Sequence, residues 1–147
     1  MDKNLIYLAQ TDTTVGFLSH CSSKLNSIKQ REPSKKILQE IYSFKELQNK
    51  VRVPQRFKKQ VRNSTKTTFI YTNNLAFRVV DNSHNHSKFI KKFKYLYSTS
   101  ANLTNKSFDI DFAQNSADII VYSCDEFSNK NSSKIYKLYK TKIKKVR

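Results

Sequence analysis

A cluster of small polar side chains follows an apolar run in the second half of the chain. The segment from Leu96 to Asn102 reads LYSTSAN, and it ends in small hydroxyl side chains and an amide without any glycine, proline or charge. Hydroxyl and amide groups can hydrogen-bond to the anionic oxygens of a phosphate or a carboxylate. The alternative is a turn that is held by its own local hydrogen bonds. Taken alone, the segment is compatible with both interpretations.

Clustered cations are a second candidate for phosphate chemistry. Lys29 and Arg31, with Lys35 close behind, place several positive charges in a short segment. Arginine can grip phosphate oxygens in a bidentate way, whereas lysine acts as a point charge. A solvated basic loop is the alternative. The chain has a single glycine, which excludes a Walker loop and a dinucleotide fingerprint. Side chains would therefore have to hold any nucleotide phosphates.

Two further charges stand in unusual surroundings. Arg78 lies inside the apolar run LAFRVV, where a charge is costly unless it is paired or faces a polar cavity. A structural salt bridge and a ligand contact both satisfy that requirement. Asp12 lies in a hydroxyl-rich turn, where it can either help to hold Mg²⁺ or cap an Asx-type turn. The pair His84 and His86 has poor spacing for a metal site.

Size and charge limit the class of protein. The chain has 147 residues, which suits one domain over residues 1–147, and its formal net charge is +17. This excess favours a polyanionic partner such as nucleic acid, nucleotide phosphates or an anionic surface. The alternative is a compositional bias toward lysine of the kind that an AT-rich genome produces. No apolar stretch is long enough to span a bilayer, and the N-terminus is too polar for a signal peptide. These features predict a cytoplasmic protein with no membrane partner.

Predicted strands alternate with short helices along the chain. Period and turn signals predict strands at Leu5–Ala9, Lys35–Ile41, Thr67–Tyr71, Leu75–Val80, Tyr95–Tyr97 and Asp118–Tyr122, and a β-leaning tail at Ile135–Val146. Helical segments are predicted at Leu25–Gln30, after Ser43, after Pro54 and at Ser87–Phe93. The Asn73-Asn74 turn predicts a hairpin. This order indicates an α/β domain with a mixed sheet.

The order of the candidate motifs resembles the YrdC-type family, the threonylcarbamoyl-AMP synthases. The family pattern runs PTDTVYGLG, KxRP, a VAVRxP strand and STSAN. The matching stretches here are Thr11-Asp12-Thr13 with Gly16, Lys29-x-Arg31 with Lys35, LAFRVV with Arg78, and Ser98–Asn102. The resemblance extends from about Leu5 to the end of the chain. It implies a twisted open α/β sheet flanked by helices around a positively charged concave cavity.

The resemblance also implies a reaction. L-threonine, bicarbonate and ATP would form threonylcarbamoyl-adenylate and pyrophosphate, with Mg²⁺ accompanying ATP. The product would serve downstream threonylcarbamoyl transferase proteins that modify tRNA. Such a nucleotidyltransferase needs no catalytic side chain, because positioning and electrostatics are sufficient. This expectation agrees with the lack of a triad or a convincing general base in the sequence.

Matching the motifs position by position implies two sets of binding residues. The threonine-binding set is Thr11, Arg78, Ser98 and Ser133. The ATP-binding set is Lys29, Arg31, Lys35, Asn74, Ser100, Asn102 and Arg147. Asp12, together with the ATP phosphates, is the candidate metal ligand.

Two other functions stay open at the level of sequence. A non-catalytic YrdC-like protein that binds tRNA, rRNA or double-stranded RNA would use the same positive charge for phosphate contacts. A carbamoyl-transfer module like that of hydrogenase maturation proteins is the third alternative.

Overall fold

The computed structural model describes residues 1–147 and contains one sheet of nine strands with five α-helices and one 3-10 helix. The strands are β1 (Tyr7–Gln10), β2 (Val15–Ser19), β3 (Leu38–Ile41), β4 (Thr67–Ile70), β5 (Ala76–Val79), β6 (Tyr95–Ser100), β7 (Ile119–Val121), β8 (Lys134–Leu138) and β9 (Ile143–Lys145). The helices are α1 (Ser22–Ile28), α2 (Phe44–Lys50), α3 (Lys58–Asn63), α4 (Asn85–Phe93) and α5 (Ile110–Ser116), with the 3-10 helix at Gln55–Phe57.

The sheet is open and mixed, which confirms the predicted fold class. Its strand order is β7-β1-β2-β6-β3-β5-β4-β8-β9. The pairs β1–β7, β3–β5 and β4–β8 are parallel, and the other five pairs are antiparallel. Strands that are distant in sequence therefore become neighbours at the centre of the sheet. None of the helices has the length and hydrophobicity that a transmembrane span requires.

Helices cover both faces of the sheet at the β1 end. Alternate residues of a strand point to opposite faces, and Leu8 of β1 packs in a cluster with Leu25 of α1 and Ala113 of α5. Tyr7 points the other way and packs with Ile90 of α4. The whole of β1 is consequently buried, as expected for a strand with helices on both sides.

A separate core supports the other end of the sheet. There Phe69 of β4 and Phe77 of β5 pack with Leu47 of α2, Val61 of α3 and Leu138 of β8. This cluster ties the C-terminal hairpin of β8 and β9 to the segment between α2 and β4.

The local predictions with a clear physical signal are confirmed. Strands β4 and β5 form the predicted antiparallel hairpin, and Asn74 in its turn has a φ of 60°, a conformation that asparagine tolerates. Ser43 is the N-cap of α2, and its hydroxyl accepts a hydrogen bond from the Glu46 amide at 3.3 Å. The basic helix after Pro54 begins as a 3-10 turn and continues as α3.

Three elements differ from the sequence predictions. The hydroxyl residues Ser98–Ser100 do not follow the strand predicted at Tyr95–Tyr97 but belong to it, because β6 continues to Ser100. Strand β2 has no counterpart among the predicted strands; it contains Gly16, and a Cβ there would lie 3.0 Å from the Thr99 carbonyl oxygen. Helix α5 has no predicted counterpart either, although Asp109 caps it through hydrogen bonds from two amides. Short, weakly periodic segments carry too little signal for these assignments.

Candidate functional site

One pocket gathers most of the side chains that the family resemblance selects. Its volume is about 140 Å³, and only one of its 12 lining residues is hydrophobic. The predicted residues on its wall are Thr11, Arg78, Ser98, Ser100, Ser133 and Arg147. The wall is completed by Thr13, Thr14, Gly16, Leu38, Thr99 and Ser132. Since these residues are spread from one end of the chain to the other, only the folded sheet assembles them.

The strands β2, β6 and β3 form the floor of the pocket. Gly16 of β2 is paired with Ser100 of β6, and Ser98 of β6 is paired with Leu38 of β3. The absence of a side chain at Gly16 keeps the space beside Thr99 open, because a Cβ there would crowd the backbone of β6. Ser98 and Ser100, which lie on the same face of β6, therefore line the pocket.

Arg78 belongs to a buried cluster of charges at the base of the pocket. Its Nη2 contacts Glu40 Oε1 directly and lies 3.2 Å from Asp12 Oδ1. His86 Nε2 donates to the other carboxylate oxygen of Glu40 at 2.5 Å. The Nε–H of Arg78 has no acceptor in the protein. Arginine offers five N–H donors, so Arg78 makes structural ion pairs and still has donors for a ligand.

The two carboxylates of this cluster respond differently to burial. Burial raises the pKa of Glu40, but the adjacent Arg78 and His86 outweigh this effect and lower the pKa to about 2. For Asp12 the balance is reversed: burial raises its pKa more than Arg78 lowers it. Neither carboxylate oxygen of Asp12 forms a hydrogen bond. Glu40 is therefore the ionised partner that fixes Arg78, and Asp12 is the weaker one.

Lys29 shapes the loop that follows β6. Its Nζ donates to the carbonyl oxygen of Ser100 at 2.9 Å, to Oδ1 of Asn102 at 3.1 Å and to the carbonyl oxygen of Asn102. Burial, with a smaller effect of Arg31, lowers the pKa of Lys29 to about 8, so the ammonium group is still protonated at neutral pH. Lys29 thus holds Ser100 and Asn102 in place, and direct ATP binding by Lys29 stays a prediction.

A second recess of about 220 Å³ adjoins the pocket and shares Thr14, Ser100 and Ser132 with it. It adds Asn102 and two lysines, Lys106 and Lys130. The two volumes together lie at the lower end of the range of about 300–1,000 Å³ that small-molecule sites usually occupy. The arrangement provides two adjoining polar recesses, and each is lined by two cations: Arg78 and Arg147 in the first, Lys106 and Lys130 in the second.

Arg147 reaches the rim of the pocket from the last residues of the chain. Its Nε and Nη2 donate to the Ser133 carbonyl oxygen at 3.3 and 3.1 Å. The Ser133 hydroxyl is in turn hydrogen-bonded to the Thr68 hydroxyl at 2.9 Å. Ser133, the residue before β8, therefore holds the exposed guanidinium of Arg147 beside the pocket, and Thr68 of β4 fixes Ser133 in turn.

Apart from Lys29, three of the predicted ATP-binding residues line neither recess. Arg31 and Lys35 line a separate open recess, and Arg31 Nε donates to Asn26 Oδ1 at 2.7 Å. Asn74 is exposed in the β4–β5 turn and lines neither recess. The structure does not bring these three side chains to the pocket, and their role in ATP binding stays a prediction.

The geometry does not fit the expected role of Asp12 as a magnesium ligand. Its side chain is 1% exposed and lies against the Arg78 guanidinium, and Asp12 does not line the pocket. The structure contains no group of three His, Cys, Asp or Glu side chains that could hold a metal ion. Mg²⁺ usually retains several waters and binds to phosphates through few protein ligands, so any Mg²⁺ here would be held chiefly by ATP itself.

Glu40 and His86 are functional candidates that sequence reasoning missed. Glu40 lies inside the predicted strand ILQEI, just as Arg78 lies inside LAFRVV. A buried charge in an apolar strand requires a partner, so two lone charges of opposite sign were a signal that these strands pair. The parallel pairing of β3 with β5 places Glu40 opposite Arg78.

The architecture and the pocket define the YrdC-like α/β fold. No protein-family model matches the sequence, and no curated protein matches it. Solved structures nevertheless match nearly the whole chain. Sua5 of P. abyssi, solved in complex with L-threonine, has a TM-score of 0.76 at 14% identity and covers 97% of this chain and 50% of its own. The present chain therefore spans about half the length of Sua5.

Two other solved proteins share this fold. YciO of E. coli has a TM-score of 0.75 at 14% identity, and the match covers 99% of this chain and 83% of YciO. Full-length HypF, solved in a phosphate- and nucleotide-bound form, has a TM-score of 0.70 at 11% identity, with 97% of this chain and 26% of HypF covered. Identities this low show a common fold and leave the activity to be argued from the site.

Proposed function

We propose that the protein is an L-threonylcarbamoyladenylate synthase of the YrdC type. The observation that carries this proposal is the convergence of Thr11, Arg78, Ser98, Ser100, Ser133 and Arg147 on one polar pocket. The resemblance to the family motifs selects these six among eleven binding residues, independently of their positions in space. The shared fold of Sua5, which binds L-threonine in its solved complex, supports the same conclusion.

The base of the pocket suits the carboxylate of an amino acid. Glu40 fixes Nη2 of Arg78, and Arg78 also lines the pocket, so its remaining N–H donors can bind a ligand carboxylate. The hydroxyl groups of Thr11, Ser98 and Ser133 surround the same space. In the proposed complex these hydroxyls hold the polar groups of threonine while Arg78 binds its carboxylate.

The adjoining recess suits the phosphates of ATP. Ser100 lies on the boundary of the two recesses, where a reacting α-phosphate would meet the threonine subsite. Asn102, Lys106 and Lys130 extend this wall, and Arg147 is held at the rim. Cations and hydroxyl donors of this kind stabilise charge on a transferring phosphoryl group.

The proposed chemistry requires positioning and no protein nucleophile. The threonine amine adds to CO₂ from bicarbonate and loses a proton, which gives a carbamate. A carbamate oxygen then attacks the α-phosphorus, and pyrophosphate leaves with the electron pair of the broken P–O bond. Mg²⁺ that arrives with ATP would neutralise part of the phosphate charge. Holding the two reactants in line can supply a large part of the rate acceleration.

The proposal is tested by pyrophosphate release from ATP and bicarbonate with and without L-threonine. The informative variant is Arg147→Ala, because Arg147 is exposed and its removal leaves no buried charge unpaired. We expect threonine-dependent release that falls at least tenfold in Arg147→Ala and is unchanged in Lys91→Ala, an exposed lysine of α4 that lines neither recess. Absence of release, together with no rise in Tm on adding threonine or ATP, would overturn the proposal.

A further inference from the structure

The net positive charge of the chain is concentrated in two segments. Residues 47–80 and residues 127–147 each contain eight lysines and arginines and no acidic residue, so together they hold 16 of the 28 basic residues. The rest of the chain contains the other 12 basic residues and all 11 acidic ones. Nearly the entire net charge of +17 therefore comes from these two segments.

This distribution argues against a purely compositional origin of the charge. A bias of the genome toward lysine codons acts on the whole chain and would raise the lysine content everywhere. The segments outside 47–80 and 127–147 are close to electrically neutral. A local excess with no acidic residue is instead the pattern of a surface that binds polyanions.

The fold joins the two segments into one surface, here called the basic face. Strand β4 of the first segment pairs in parallel with β8 of the second. Arg56 Nη1 donates to the Thr141 carbonyl oxygen at 2.9 Å. Beneath the surface, Ile143 of β9 packs against the cluster that contains Val53 and Phe57. Segments that are separated in sequence thus come together on one face, whereas their Arg78 and Arg147 belong to the pocket.

The basic face contains a polar groove of about 670 Å³. No hydrophobic side chain lines it, and its lining residues are Arg52, Pro54, Gln55, Arg56, Thr72, Lys140 and Thr141. Beside it, Tyr139 lies between Lys137 and Lys142, whose Nζ atoms are 5.7 and 5.2 Å from the ring centre. None of these cations forms an ion pair within the protein: the four ion pairs of the structure involve Arg78, His84 and His86 only.

We infer that the basic face binds the phosphodiester backbone of a nucleic acid. Unpaired arginines and lysines with amide and hydroxyl groups between them are the donors that contact backbone phosphates, and an aromatic ring flanked by cations can stack on a base. A membrane partner fits less well, since Val146 is the only large hydrophobic residue that these segments expose. The groove is separate from the threonylcarbamoyladenylate pocket, so this inference does not depend on the proposed activity.

The test is a fluorescence-anisotropy titration with labelled duplexes of RNA and of DNA, equal in length, over a range of salt concentrations. One variant, here called the face variant, carries Arg52→Gln, Arg56→Gln, Lys140→Gln and Lys142→Gln. The matched control removes the same charge from exposed lysines of the neutral part through Lys3→Gln, Lys24→Gln, Lys88→Gln and Lys91→Gln. Thermal melts of both variants show whether they are folded.

We expect the face variant to lose at least tenfold in affinity at about 0.1 M salt and the control to lose less than threefold. The slope of log K against log salt should become shallower in the face variant, by about 0.9 for each lost phosphate contact. Tighter binding of RNA than of DNA would support a contact to the 2′-hydroxyl as well, and equal binding would support the backbone alone.

Equal loss of affinity in the two variants would overturn the inference, because net charge and not the face would then explain binding. Binding to vesicles of phosphatidylcholine and phosphatidylserine without binding to either duplex would overturn it too. The face variant should keep threonine-dependent pyrophosphate release. Failure of the synthase proposal is thereby distinguished from failure of this one.

Discussion

The pocket and the basic face treat the same kind of charge in opposite ways. In the pocket region, Arg78 and Lys29 are buried, and each has oxygen partners within the protein. On the basic face, Arg52 and Lys140 are exposed and have no acidic residue nearby in the chain. A buried charge without a partner is prohibitively costly, whereas water solvates an exposed one. Burial with internal partners marks the cations that build the site, and exposure without an ion pair marks those available to a partner molecule.

Among variants that test this contrast, Glu40→Gln is expected to change the free energy of unfolding most. The variant removes the ionised partner of Arg78, and the depressed pKa of Glu40, about 2 against an ordinary 4.5, implies a loss on the order of 3 kcal/mol in the free energy of unfolding at pH 7. Because the folded-state pKa is lowered, this contribution is present above pH 4.5 and disappears as the pH falls toward 2. Urea denaturation at a series of pH values measures it.

The control for this variant is Glu126→Gln, which removes an acidic residue from an exposed loop. Its free energy of unfolding should stay within about 0.5 kcal/mol of the parent at every pH. If Glu40→Gln were equally harmless at pH 7, Arg78 would not depend on Glu40, and the contrast between paired and unpaired cations would fail.

A smaller effect is expected from Lys29→Met. This change removes the donor that holds the oxygens of Ser100 and Asn102 and should cost about 1–3 kcal/mol. Hydrogen exchange of the backbone amides from residue 100 to 103 should accelerate more than exchange in the β4–β5 hairpin. Lys24→Met is the matched control, because Lys24 is exposed and donates one hydrogen bond, to the Asn4 carbonyl oxygen. Uniform acceleration in both regions would show that Lys29 does not act locally.

The smallest change in the free energy of unfolding is expected from the four-residue variant of the basic face, and it should be an increase and not a loss. Removing unpaired charges relieves repulsion among neighbouring cations, so at low salt the free energy of unfolding should stay constant or rise by a few tenths of a kcal/mol per site. The gain should vanish at about 1 M salt, where the Debye length is roughly 3 Å. A clear loss of stability would mean that contacts within the protein, such as the hydrogen bond from Arg56 to the Thr141 carbonyl oxygen, outweigh the relief of repulsion.

Part of the site could be predicted from residue types and their order. The hydroxyl run at Ser98–Ser100, the lone charge at Arg78 and the turn at Thr11 each require an explanation, and their order matches one family pattern. The structure brings these three elements into one pocket. Arg31, Lys35 and Asn74 follow from the same pattern, but the sheet leaves them elsewhere, because spacing along a chain does not fix direction in space.

The local sequence is sufficient for the features that depend on near neighbours. The β4–β5 hairpin follows from its asparagine turn, and the start of α2 follows from Ser43 and Glu46. The uneven distribution of charge is also a property of the sequence alone. The hairpin and the helix start depend on interactions within a few residues, where local propensity and hydrogen bonding are sufficient.

The choice of distant partners, in contrast, depends on the complete folded sheet. The strand order placed Glu40 beside Arg78, brought Lys29 to the loop after β6, and joined the two acid-free segments through β4 and β8. Dozens of residues separate the members of each pair. Which strands become neighbours is set by how the helices and both faces of the sheet pack together, and that packing is a property of the whole folded chain.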